Sequence, residues 1–110
     1  FVVVGDEKIT LTNVLNYPNT FVSHTEFWFT HNKPYEPLEV QVQVMSITGR
    51  IIWSKNQTIT TDGFLSRDIT WDGRDQFGAK ISKGVYIYKL TVKSLITNTK
   101  AEKYEKLVIL

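Results

Sequence analysis

The side chains able to do chemistry in this chain are two histidines, a pair of loop aspartates, scattered serines and a set of lysines. His24 and His31 stand seven residues apart. In a strand that odd spacing puts them on opposite faces, so they cannot share a metal without a bulge. Asp72, Asp75 and Gln76 lie in the glycine-punctuated stretch Trp71-Asp72-Gly73-Arg74-Asp75-Gln76-Phe77-Gly78. A calcium loop needs oxygen ligands at regular spacing and a closing bidentate Glu, and neither is present. Turn capping by the aspartates fits better. No serine sits in a nucleophile elbow. Gly78-Ala79-Lys80-Ile81-Ser82 lacks the strand-to-helix setting of a phosphate loop. The chain has no cysteine, which excludes disulfides, zinc thiolates and thiol catalysis. The sequence assigns no catalytic residue, no metal and no cofactor.

Binding chemistry has more to work with. Tyr17, Tyr35, Phe64 and Phe77 fall in predicted loops, where a carbohydrate-binding module holds its stacking platform. The same rings also serve to plug the ends of a sandwich. Residues 1–71 carry five Lys/Arg against seven Asp/Glu, whereas residues 72–110 carry eight against four. The basic C-terminal third reads either as lysines guarding exposed strands or as a docking face. Nucleic-acid binding needs aromatics interleaved with a dense basic stripe, which is missing.

Short strands must position all of these residues. Leu38, Val40, Val42 and Val44 alternate with Glu39, Gln41 and Gln43, which predicts a strand with one dry face. Thr48-Gly49 predicts a hairpin into Arg50–Ser54, with a separate short strand over 56–61. Thr25, Phe27, Phe29 and His31 share one face of a strand near 24–32. Tyr86, Tyr88, Leu90 and Val92 share one face of the strand that follows Gly84, with Lys89, Thr91 and Lys93 on the other. Ile9, Leu11, Asn13 and Leu15 predict an early strand, and 66–71 another. Residues 103–110 form the last. No segment keeps a helical period. Seven to nine strands separated by turn signals predict an all-β, immunoglobulin-like antiparallel β-sandwich. At 110 residues the chain holds one domain, with residues 1–8 a linker or edge strand and 9–110 the sandwich. No apolar run approaches a membrane span. A start at Phe1-Val2-Val3-Val4 without Met is expected of a piece from a longer protein.

A closing strand has no later chain to cover it, so its N–H and C=O groups are free for another chain to pair with. Leu107, Val108, Ile109 and Leu110 are too apolar to be left bare. The expected docking surface is therefore this strand and its neighbour. It comprises Gly84, Tyr86, Tyr88 and the apolar end, rimmed by Lys100, Lys103 and Lys106. Strand exchange between copies would give a homo-oligomer through the same surface.

Three segments carry a family resemblance. Asn16-Tyr17-Pro18-Asn19-Thr20-Phe21 resembles the Tyr-Pro-Asn-Pro-Phe turn of immunoglobulin-like domains of the flagellar hook-capping type, with Thr20 in place of proline. Val44–Ile52 resembles that family's central hairpin. Trp71-Asp72-Gly73-Arg74-Asp75, Gly78 and Gly84-Val85-Tyr86-Ile87-Tyr88-Lys89-Leu90 resemble its second signature. The pattern, over about residues 13–110, is similar to that of C-terminal domains exported by the type IX secretion system of Bacteroidetes. The resemblance implies a non-catalytic sorting domain. It would be recognised by an outer-membrane secretion or shuttle protein, reached through the periplasm, and displayed at the cell surface. In most cargo a sortase then removes it, while a few members of the machinery, the sortase class among them, keep theirs.

Overall fold

The computed structural model describes residues 8–21 and 23–110. The proposed linker or edge strand at the start therefore lies, except for Lys8, outside the described residues. Eight strands follow: β1 (Leu11–Tyr17), β2 (Thr20–Phe21), β3 (Thr25–His31), β4 (Leu38–Met45), β5 (Ile51–Ile59), β6 (Leu65–Trp71), β7 (Gly84–Ser94) and β8 (Lys100–Ile109). They form a three-stranded sheet, β1-β3-β6, and a five-stranded sheet, β2-β8-β7-β4-β5. All neighbours are antiparallel except β2, which pairs in parallel with the end of β8. The result is the expected all-β sandwich.

Each long strand turns its alternate apolar residues inward. Leu38, Val40, Val42 and Val44 from β4 meet Tyr88, Leu90 and Val92 from β7, and Phe27, Phe29, Ile69 and Trp71 close the core from the other sheet. Phe27 meets the Tyr88 ring edge-on at 4.8 Å and stacks near Trp53 at 6.4 Å, and Trp53 stacks on Trp71 at 5.4 Å. Aromatic pairs at these separations add to what burial alone supplies.

Two expectations need correction. The early strand keeps the expected phase at Ile9 and Leu11 but reverses beyond them: Val14 and Asn16 are buried, whereas Leu15 and Tyr17 face out. Asn13 takes φ 52° at a bulge between Thr12 and Leu15, and one extra residue reverses every later side chain. Residues 56–59 are also not a separate strand. They continue β5, which pairs with β4 from Ile59 back to Ile51.

The turn from β1 to β2 carries the chain from one sheet to the other. Its Tyr17–Pro18 bond is cis. The buried Asn16 amide donates to the Pro18 and Asn19 carbonyls and to Thr25 Oγ1 at 3.1–3.3 Å, and its oxygen accepts from Asn19. Thr25 Oγ1 donates to Pro18 O at 2.8 Å. A buried amide satisfied in this way fixes one path for the backbone. That path delivers Asn19–Phe21 to the end of β8.

Candidate functional site

The C-terminal strand is bounded differently along its two sides. On one side β7 pairs with it without a slip, from Gly84 opposite Ile109 to Lys93 opposite Lys100. On the other, among the described residues, only β2 pairs with it, at Val108 and Ile109. The Val108 N–H donates to Asn19 O at 3.3 Å, and Asn19 Nδ2 donates to Lys106 O at 3.5 Å. Both contacts lie on the side away from β7. In an antiparallel pair the backbone groups of alternate residues share a side. Lys100, Glu102 and Tyr104 therefore also direct N–H and C=O away from β7, and there they have no partner among the described residues. Among the described residues no strand pairs with this side of β8 from Lys100 to Tyr104, although β1 packs close beside it and the Ile9 N–H donates to Thr99 Oγ1 at 3.2 Å. From Lys106 onward the far end is clasped.

This arrangement divides the expected docking residues. Tyr88 and Leu107 are fully buried, and Ile109 is nearly so. They anchor the strand in the core and offer nothing to a partner. Gly84, Tyr86 and Val108 are half-buried, with the Tyr86 hydroxyl donating to Ser82 O at 2.6 Å. Leu110 and the three lysines are exposed. Lys100 and Lys106 stand on the outer face, and Lys103 on the opposite one. The Tyr88 hydroxyl is buried without a hydrogen-bond partner among the described residues. Burial, with the Glu105 carboxylate opposite, pushes its ionisation upward, so it stays a neutral phenol.

A further patch escaped the sequence reading. On the outer face of the large sheet Val85 pairs with Val108, Ile87 with Met45, and Met45 with Ile51. Val85 and Ile51 are about half exposed. The alternation of β7 held the signal, since Val85 and Ile87 share the face of Lys89, Thr91 and Lys93. Beyond this patch the face is charged: Lys89 bonds Glu102 at 3.3 Å and lies 5.7 Å from the Tyr104 ring. The hydrogen bond to Glu102 raises the pKa of Lys89.

The other candidate groups do structural work. Asp75 Oδ1 accepts from the Phe77 and Ala79 amides at 2.9 Å, and Asp72 accepts from the Arg74 amide. Gly73 and Gly78 sit at φ 76° and 87°, where a Cβ is strained. Trp71 Nε1 ties this loop to the core through Arg74 O at 2.9 Å. No group of three or more His, Cys, Asp or Glu among the described residues could hold a metal ion. Tyr35, Phe64 and Phe77 are exposed, yet none makes a ring contact with another described aromatic.

His24 is exposed and His31 is buried, on opposite faces as the spacing required. His31 Nδ1 accepts from the Lys33 N–H at 3.0 Å. Its Nε2 therefore carries the proton and donates to Thr61 Oγ1 at 2.8 Å, and the Thr61 hydroxyl donates to Gly63 O. Burial lowers the His31 pKa below its ordinary 6.5. The unfolded chain then takes up the proton first, so stability falls as pH drops through and below that value. The melting temperature is expected to be lower at acid pH than at neutral pH. The loss should shrink clearly in His31→Gln, and an equal loss in both proteins would contradict this origin.

The fold and site define a β-sandwich domain in which, among the described residues, β8 is unpaired along part of one side and no catalytic constellation is assembled. No family model and no curated protein sequence matches the chain. Among solved structures, dimeric latent PorU from Porphyromonas gingivalis is similar over 99% of this chain and 10% of its own, with a TM-score of 0.80 and 26% identity. The chain thus spans a tenth of the length of that protein. CopC from Methylosinus trichosporium OB3b matches 88% of this chain and 93% of its own, with a TM-score of 0.53 and 12% identity. The Pseudomonas fluorescens alkylpurine DNA glycosylase AlkC matches 93% of this chain and 30% of its own at the same TM-score and identity. The last two share the sandwich fold alone. No helix of the described residues is long and apolar enough to cross a membrane.

Proposed function

We propose that this chain is a non-catalytic sorting and docking domain of a type IX secretion protein. The observation that carries the proposal is the side of β8 from Lys100 to Tyr104, which has no strand partner among the described residues and is held in place by the clasp at its far end. The signature residues of the Tyr17–Pro18 turn and the Trp71–Leu90 stretch support it, as does the likeness to part of PorU. An outer-membrane secretion or shuttle protein adds a strand along the edge. Val85 and Ile87 on the neighbouring β7 supply apolar contact, and Lys100, Lys103 and Lys106 supply charge. The parent protein crosses the periplasm and is displayed at the outer membrane. The PorU likeness favours a parent of the gingipain-sortase kind, a cysteine protease, over ordinary cargo.

Deleting 103–110 is a poor test, because it removes Leu107 and Ile109 from the core. A reporter fused to the chain in a bacterium with a type IX system gives a better one. Wild type should deliver the reporter to the surface, and Tyr104→Pro should leave it in the periplasm. Equal surface delivery of both would overturn the reading. Sedimentation over a range of concentrations reports whether copies pair through the same edge.

A further inference from the structure

The exposed face of the three-stranded sheet breaks its own pattern. In β3 the inward residues are buried without exception, and the outward ones should be polar. Glu26 and Thr30 are polar, but Trp28 is not. The other two indoles point into the core. Local violations of a clean pattern gather at functional sites.

Trp28 does not stand alone. Each strand of the sheet contributes one planar group to a row across it. Tyr17 from β1 is 60% exposed, and its ring centre lies 5.3 Å from that of Trp28, tilted by 42°. The Arg67 guanidinium from β6 lies 5.3 Å from the centre of the Trp28 ring. Around the row is a depression of about 530 Å³ whose lining includes His24, Glu26 and Asp68. The bulge that reversed β1 is what turns Tyr17 outward.

The polar chemistry selects the ligand. Trp28 Nε1 already donates to Glu26 Oε1 at 2.9 Å. The indole N–H is therefore unavailable to a peptide carbonyl, which is the contact that aromatic grooves offer to proline-rich segments. The second Glu26 oxygen and the Asp68 carboxylate are acceptors, and they call for a ligand rich in hydroxyl donors. Two carboxylates against one guanidinium disfavour phosphates and polyanions. Rings that offer an apolar face, edged by hydroxyl donors, are pyranose sugars.

We propose that Tyr17, Trp28 and Arg67, rimmed by Glu26 and Asp68, form a binding subsite for a neutral saccharide chain. The subsite lies on the sheet that does not contain β8, so it and the docking edge stand or fall separately.

The test is affinity electrophoresis of the chain in gels containing soluble β-glucan, mannan, xylan or α-glucan, with a proline-rich peptide measured by fluorescence titration. At least one neutral polysaccharide should retard the wild type. Trp28→Ala should weaken that binding about ten-fold or more, and Glu26→Gln less severely. Trp28→Phe keeps a ring face and should retain part of the affinity. Thermal melting identifies any variant that has lost its fold, and Tyr17→Ala then serves as the alternative truncation. Silence across all four polysaccharides, binding indifferent to these substitutions, or binding to the peptide alone would overturn the proposal.

Discussion

Truncating Phe27 to alanine is expected to remove about 3–5 kcal/mol of stability. A domain of this size has about 5–15 kcal/mol in total, so much of the native population would be lost. Phe27 belongs to the small sheet, but its ring touches Tyr88 of β7 and Trp53 of β5 in the large one. It is fully buried and flanked in register by Asn16 and Ile69. Removing the ring leaves a cavity bordered by two other large aromatics, which cannot collapse into it without leaving their rotamers. Phe27→Leu fills most of the space and should cost far less. Urea titration measures both. A midpoint for Phe27→Ala close to wild type would mean that the sheets are held together elsewhere.

Two adjacent prolines in β8 should behave in opposite ways. The Tyr104 N–H points to the side of β8 away from β7, where no hydrogen bond among the described residues is lost. Tyr104→Pro should therefore stay folded, within about 1 kcal/mol of wild type, while blocking any strand that tries to add there. The Lys103 N–H points toward β7, opposite Leu90. Lys103→Pro removes a ladder bond and leaves an acceptor unpaired, a loss of about 1–3 kcal/mol before any steric clash. The docking proposal requires that the first variant melt normally and fail to dock. If Tyr104→Pro instead unfolded and Lys103→Pro did not, the assignment of the two sides of β8 would be reversed.

The sequence showed most of the sandwich, because β3, β4 and β7 each alternate without interruption. It failed where one residue changes the parity. Asn13 tolerates the left-handed conformation it adopts, a weak signal that alternation alone overrides, yet it decides that Val14, not Leu15, enters the core. The open edge was legible in outline and wrong in extent. Leu107 and Ile109 alternate inward as Tyr86 and Tyr88 do, so their burial was in the pattern. The clasp was not, since a two-residue parallel strand has no period to detect. Alternation places Trp28 on the face opposite Phe27 and Phe29, but its meaning depends on Tyr17 and Arg67, which the fold brings beside it.

The clasp also sets an order of events in time. Hairpins such as β4–β5 and β7–β8 close short loops, whereas Asn19 meets Lys106 across 87 intervening steps of chain. Contacts that distant are slower to form because more freedom must be surrendered first. The clasp is therefore expected to close after β8 has paired with β7, so the end covered by Thr20 and Phe21 in the mature molecule is expected to be covered last. On the docking proposal, a partner strand would find a longer landing strip on the incompletely folded chain than on the mature molecule.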